Sequence, residues 1–454
     1  MAFMVMWKER IRKALEQQRL DDRYRQRVVC HAQGSSINIE VEEATYLNFS
    51  SNDYLGLAHH PQLVLAAAYG AEHYGVGSGG SPHVTGFSRP LALLEERLAD
   101  WLGYEAAIVY PSGFTANQAV IKVLIEKGDL IIADRLSHAS LMEAAILSPG
   151  RLHRFKHNDL QSLESYLERY SVSSFDPSSD ASSLDTSSLP TPLKTPLKLV
   201  VTEGLFSMDG DGAPLSEIAK VAANYGALLM VDDAHGIGII GDEGRGSCDQ
   251  AGIKPDILIV TFGKALGCSG AAVLLSDELA EYFTQFSRPL IYSTAIPPMQ
   301  AEILNEAITL IRSDEGEQRR EKLAANIAYF RTRMGDMLAT LKERFSRDFT
   351  LSPGINEFNA LPFPYLIPSE SAIQPLVIGE DSVALKLSRL LKNHGIWVSA
   401  IRPPTVPPKS ARLRITITAE HQQSMIDYLI DQLEESLIIL LTQQNDEAVG
   451  VLDV

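Results

Sequence analysis

Asp232, Asp233, Ala234 and His235 follow one apolar run, Ala227 to Val231, and Thr261-Phe262-Gly263-Lys264 follows another, Ile257 to Val260. Both read as strand ends. Ligands of open α/β sheets gather at the carboxyl ends of strands, so the two segments predict one shared pocket despite their separation in the chain. An amine placed there can form a Schiff base, and an acid can pair with a pyridinium nitrogen. These are the two demands that pyridoxal 5'-phosphate (PLP) makes of its protein. A lysine must attack as the free amine, which requires a lowered pKa, and burial beside a cofactor achieves this. Either Asp232 or Asp233 would serve chemically as the acid.

Phosphate needs backbone donors and the positive end of a helix. Pro111-Ser112-Gly113-Phe114-Thr115-Ala116-Asn117 follows an apolar strand and opens an Ala/Gln/Val-rich helix, so the amides of Gly113 and Phe114 can face an anion. The other Gly-rich stretch, Gly77 to Ser81, lacks the Gly-x-x-x-x-Gly-Lys pattern and is not a P-loop. Its glycines allow close chain approach instead.

The order and spacing of several motifs resemble the α-oxoamine synthases, a family of fold-type I PLP-dependent transferases. They are Val201 to Ala213 (Val-Thr-Glu-Gly-Leu-Phe-Ser-Met-Asp-Gly-Asp-Gly-Ala), Val231 to Gly236, and Val260 to Gly267. Leu47 to Leu57, Gly77 to Gly86, Asp134 to Ser140 and Ala400 to Pro407 extend the match to nearly the whole chain. Pro82, where a glycine is common, and Ala265-Leu266 after the lysine are small departures. The Ala-Ile-Arg-Pro-Pro-Thr-Val-Pro stretch is most similar to the branch that joins L-alanine to a pimeloyl thioester, on coenzyme A or acyl carrier protein, with loss of carbon dioxide in biotin biosynthesis.

The resemblance implies roles residue by residue. Lys264 carries PLP and later exchanges the proton at the substrate α-carbon. Asp232 keeps the pyridine nitrogen protonated, and Asp233 is structural. His235 contacts the phenolic oxygen, and His138 stacks on the ring and meets substrate. Gly113, Phe114, Ser207 and Thr261 contact the cofactor, and Thr294 reaches the phosphate of a second subunit. Arg25, Arg402 and Thr405 bind substrate, Arg402 through a bidentate pair with a carboxylate. A homodimer with shared sites is implied as well. Two rivals remain: a sister enzyme using glycine and acetyl-CoA (glycine C-acetyltransferase), and a PLP-fold protein that binds without catalysis.

The elements that must position these residues alternate along the chain. Apolar runs at Ala106 to Tyr110, Leu130 to Ala133, Lys198 to Thr202, Ala227 to Val231, Asp256 to Thr261 and Gly270 to Leu275 interleave with helix-like stretches. That pattern predicts an α/β domain with a mainly parallel sheet. Before it, 5–27 reads as an exposed helix and Ser36 to Leu47 as one half-buried strand. After it come helices at Met299 to Leu310 and Glu317 to Leu341, then short strands at Ile373 to Val377, Ile396 to Ala400 and Leu413 to Thr418. The expected domains are an N-terminal segment 1–50, a large PLP-binding domain 51–295, a smaller C-terminal α+β domain 296–440 and a tail 441–454. A Ser/Pro-rich insertion at 171–197 and the stretch 346–371 read as irregular.

The chain has 454 residues, 45% of them hydrophobic and 21% charged, enough for two cores. A net charge of −17 argues against nucleic-acid or anionic-membrane partners, which need a basic field. Cys30, Cys248 and Cys268 are widely spaced, which indicates neither a disulfide framework nor a metal site and fits a reducing cytoplasm. Met1 to Trp7 is too short for a signal-peptide core or a membrane span.

Overall fold

The computed structural model describes residues 2–21, 23–171, 196–350 and 363–450. It divides into two compact units. The larger consists of His60–Ser207 and Gly212–Gln318, the smaller of Met1–His59, Met208–Asp211 and Arg319–Val454. Apart from its ends, the Ser/Pro-rich insertion lies outside the described residues.

In the larger unit seven strands form one sheet, in the order Ala106–Tyr110, Ala271–Leu275, Ile257–Thr261, Leu228–Asp232, Lys198–Glu203, Leu130–Asp134 and Arg151–Phe155. Ala271–Leu275 runs antiparallel to both neighbours, and the other pairings are parallel. Continuous apolar strands suit such a sheet because helices cover both faces. Ile257–Thr261 and Leu130–Asp134 are buried along their whole length. Ile131, Val201, Ile259 and Val273 meet Ala119, Val120, Leu141 and Ala145 of the covering helices in one apolar cluster. Truncating a residue such as Ile259 to Ala would cost about 2–5 kcal/mol.

The helix Pro298–Ile311 groups with the sheet, not with the C-terminal strands where the sequence placed it. Its Ala301, Leu304, Ala307 and Ile308 are buried, and it lies close against the helix Pro61–Tyr74. A Cβ added at Gly70 would come within 2.9 Å of Met299 Cα, so glycine permits this approach.

The smaller unit differs from expectation in several places. The helix expected over 5–27 is Ala2–Leu20. The single strand expected at Ser36 to Leu47 is a hairpin, Asn38–Val41 and Ala44–Asn48, turning through Glu42 and Glu43 at φ 49° and 67°. Two glutamates in left-handed conformation carry none of the Asn-Gly signal that marks such turns. Ile396 to Ala400 splits as well. Ile396–Trp397 pairs in parallel with Ala44–Asn48, while Ser399–Ile401 pairs with Ala411–Thr416 in the sheet that also holds Ile373–Gly379. The helix beginning at Asp314 continues to Thr350, so the segment read as irregular starts helical. Likewise Gln423–Gly450 is one helix, not a helix and a tail, and Ile426, Leu429, Ile430, Leu433, Leu437 and Leu440 form its buried stripe. Among the described residues no helix is long and apolar enough to cross a membrane.

Candidate active site

Adjacent strands of the large sheet end in acids. Glu203 and Asp232 face each other in parallel register, and Asp232 in turn faces Ile259. Beyond these ends the chain turns sharply, and the turns carry the side chains singled out from sequence. Lys264 Nζ donates to Thr261 Oγ1 at 3.2 Å, and the Thr261 hydroxyl donates onward to the Ala234 carbonyl at 3.5 Å. The amine therefore meets the turn that follows Asp232.

Asp232, 6% exposed, is oriented from two sides. Asn117 Nδ2 donates to one oxygen at 2.7 Å and the Ala234 amide to the other at 3.1 Å. Its neighbour Asp233 points the other way. The amide and hydroxyl of Ser247 each donate to Asp233 at 2.7 Å. A Cβ at Gly204, Gly236 or Gly246 would lie 2.0, 2.2 or 2.1 Å from its oxygens. Burial raises the Asp233 carboxyl to about 7 against the opposing Ser247 hydrogen bonds. This enclosure gives Asp233 a packing role and leaves Asp232 as the acid that faces Asn117.

His138 caps the helix Ala139–Leu147, its Nδ1 accepting the Ser140 amide at 3.3 Å and meeting the Ser140 hydroxyl at 2.7 Å. Burial lowers its pKa, Asp232 opposes that, and Lys264 reinforces it. Lysine, acid and imidazole thus share one electrostatic environment. His235, 6% exposed, lies in the turn just past Asp232.

The helix Gly113–Leu124 begins where Ser112 Oγ accepts the Thr115 amide at 3.2 Å. A Cβ at Gly113 would come 2.7 Å from Thr261 Cγ2, so the helix start is pressed against the strand end that precedes Lys264. Phe114 follows and is exposed. Ser207 comes directly after the buried Phe206. Thr294 is exposed, beside Ala295, whose amide donates to Gly80 O at 3.0 Å. The Gly-rich stretch therefore packs within its own chain, and a Cβ at Gly86 would meet Gly80 O at 2.2 Å.

Arg25, Arg402 and Thr405 belong to the smaller unit, where all three line one cavity of about 640 Å³ with Tyr24, Pro403 and Pro404. The Thr405 amide donates to Arg402 O at 3.1 Å, closing the loop across the Pro-Pro pair.

Two further residues carried no role in the sequence. Asn117 stands one helical turn after Gly113, on the face that meets Asp232. Glu203 is 3% exposed and accepts the His138 amide; burial, reinforced by Asp232, pushes its carboxyl well above the usual range. The available signal was an acid ending an apolar strand, as Asp232 does.

Known proteins resemble the chain over nearly its whole length. Residues 44–433 match the family described as Aminotransferase class I and II. The chain is 51% identical to the 8-amino-7-oxononanoate synthase of Klebsiella pneumoniae (strain 342), over 94% of its own length and 98% of that protein's. Against the enzyme of the same name from Citrobacter koseri it is 50% identical, over 94% and 99%. Among solved structures, Sphingomonas wittichii serine palmitoyltransferase matches at 25% identity with a TM-score of 0.75, covering 93% of this chain and 95% of that one. A high-resolution structure of SPT with PLP matches at 26% and 0.77, covering 92% and 95%. The 8-amino-7-oxononanoate synthase of Francisella tularensis matches at 27% and 0.64, covering 87% and 98%. With a matched region that holds the whole strand-end constellation and relatives aligned almost end to end, the chain belongs to the aminotransferase class I and II family, and within it to the family of the 8-amino-7-oxononanoate synthases.

Proposed function

We infer that the protein catalyses the PLP-dependent condensation of L-alanine with a pimeloyl thioester, forming 8-amino-7-oxononanoate with release of carbon dioxide and the thiol carrier. The observation that carries this reading is the convergence of Lys264, Asp232 and His138 at neighbouring strand ends, in a chain half identical to synthases of that name.

The donor set fits PLP. Lys264 supplies an amine for the aldehyde, and Asp232, held by Asn117 and the Ala234 amide, supplies an anion for the ring nitrogen. His138 offers an imidazole for the ring face and His235 one for the phenolic oxygen. The helix start at Gly113 and Phe114, with the hydroxyls of Ser207 and Thr261, suits the phosphate. Bound there, PLP supplies an electron sink for the pair released at the substrate α-carbon.

The protein's own groups then act on alanine. The Lys264 amine takes the α-proton, and the freed carbon attacks the thioester carbonyl, expelling the thiol. Loss of the carboxylate as carbon dioxide leaves an electron pair at the same carbon, which is reprotonated before the product departs. With PLP bound, the breaking bond would have to align with its electron system, and Arg402 would grip the substrate carboxylate. Arg25 and Thr405 bind the acyl substrate.

The same reading makes the protein a cytoplasmic homodimer, in which Thr294 completes the phosphate site of the second copy. Exposed Val64, Leu65, Tyr69, Val76, Val84 and Phe87 of the larger unit support self-association. Nucleic acid and membrane have no part in it.

Borohydride reduction of the PLP-loaded protein, followed by peptide mapping, tests the cofactor link. The adduct is expected on the Lys264 peptide, and an adduct on another lysine would remove the central claim. Incubation with alanine and pimeloyl thioesters of coenzyme A and of acyl carrier protein, with mass analysis, should yield 8-amino-7-oxononanoate from at least one. Product only from glycine and acetyl-CoA would shift the assignment to the sister activity.

A further inference from the structure

Asp134 ends its strand fully buried, with no exposed surface, yet nothing in the reaction uses it. Its carboxylate accepts three hydrogen bonds from two turns: the Leu136 amide at 2.8 Å, the Asn158 amide at 2.9 Å, and His157 Nδ1 at 3.0 Å. Leu136 belongs to the turn that leads to His138. On its other flank the His157 ring meets Phe206 edge-on, centroids 4.5 Å apart and planes at 89°. Phe206, 1% exposed, is the residue before Ser207. Asn158 completes the arrangement: its Nδ2 lies 3.3 Å from His157 Nε2 and donates to Gly212 O at 3.1 Å, with its backbone at φ 53°. The network assigns the tautomer, Nδ1–H donating to the carboxylate and Nε2 accepting from the amide.

One imidazole thus joins the turn that presents His138 to the loop that presents Ser207. We propose that His157 is a positioning residue for the cofactor site, held between Asp134 and Phe206 so that the His138 turn and the Ser207 loop keep one mutual spacing. This rests on the reading that His138 and Ser207 contact PLP. An aromatic ring alone would fill the space against Phe206. What histidine adds is a donor aimed at a buried anion, and hydrogen bonds to charged groups are the stronger class.

The test compares His157→Asn, which keeps an N–H near the Nδ1 position, with His157→Phe, which keeps the ring and loses the donor. PLP dissociation constants of the apoproteins, from fluorescence titration, are read beside their melting temperatures. The expected result is affinity within about threefold of wild type for His157→Asn and weakened at least about tenfold for His157→Phe. In a Ser207→Ala background the His157→Phe penalty should shrink, since the residues act through one loop. Wild-type affinity in His157→Phe, equal losses in both variants, or additive penalties would overturn the inference. Should His157→Phe not fold, His157→Ala against His157→Asn carries the same comparison. Wild-type protein that binds no PLP overturns the cofactor reading and this inference with it, whereas normal wild-type binding with His157→Phe unaffected overturns this inference alone.

Discussion

Asn117 Nδ2 donates to Asp232 Oδ2 at 2.7 Å and to Ser140 Oγ at 2.9 Å, tying the helix that begins at Gly113 to the acid of the pocket and to the helix capped by His138. The amide holds the carboxylate by a charge-assisted bond in a buried setting. Removing it frees the carboxylate to rotate. Asn117→Ala is expected to weaken PLP binding about tenfold, and Asn117→Asp more, since it sets a second carboxylate against Asp232. Fluorescence titration of the apoproteins checks both, and unchanged affinity in Asn117→Ala would deny the amide this role.

The wall of glycines around Asp233 predicts an effect of size rather than chemistry. A methyl at Gly236 would lie 2.2 Å from both Asp233 Oδ1 and Ser247 Oγ. Gly236→Ala should cost about 1–3 kcal/mol, seen as a lower midpoint in urea. Because Asp233 adjoins Asp232, PLP affinity should fall as well.

His421 is buried flat against Phe49, ring centroids 4.3 Å apart, with Nδ1 accepting the Thr418 amide at 2.9 Å and Nε2 3.2 Å from Asn48 O. Burial lowers its pKa from 6.5 to about 4. Since the folded value lies below the unfolded one, the unfolded chain binds the extra proton between them. The stabilisation is therefore complete above pH 6.5 and is lost as pH falls toward 4, by about 3 kcal/mol. Urea melts across that range should show the loss, and His421→Gln should flatten the slope while lowering stability at neutral pH.

Glu95 gives the opposite sign. Burial raises its carboxyl to about 8, against the Val109 amide that donates to it at 2.8 Å. A raised carboxyl favours the fold below its unfolded pKa and loses that advantage as pH rises through 4.5 toward 8. Glu95→Gln keeps the acceptor for Val109 and abolishes the titration. It should raise stability at pH 8, by up to about 5 kcal/mol, and leave it unchanged at pH 4. Thermal melts at the two pH values decide it.

How much of this was legible in the sequence follows the physics of each element. Buried parallel strands read as apolar runs because both faces are covered, and a polar residue ending such a run stands out, as Asp232 does. Side chains whose roles depend on a long-range neighbour gave less. Asn117 reads as one more polar residue of a helix and Glu203 as the end of a strand; helix packing sets the first beside Asp232, and sheet register the second. The hairpin at Glu42-Glu43 carries no turn signal in its residues because its left-handed turn is imposed by the paired strands. Ile396 to Ala400 read as one strand because continuity in sequence does not reveal that two different sheets claim its two halves.

The composition of the smaller unit has a consequence for how the chain is made. Its strand Ala44–Asn48 waits for a parallel partner at Ile396–Trp397, and Asp209 waits for Arg412, which pairs with it at 2.6 Å. The larger unit has its last residue at Gln318. On a ribosome that emits the chain from the amino end, the sheet that carries Lys264 can therefore close early. The hairpin Asn38–Val41 and Ala44–Asn48 can form at once, but its outer edge lacks its partner until residue 397 has emerged, so the smaller unit is the last to complete its core.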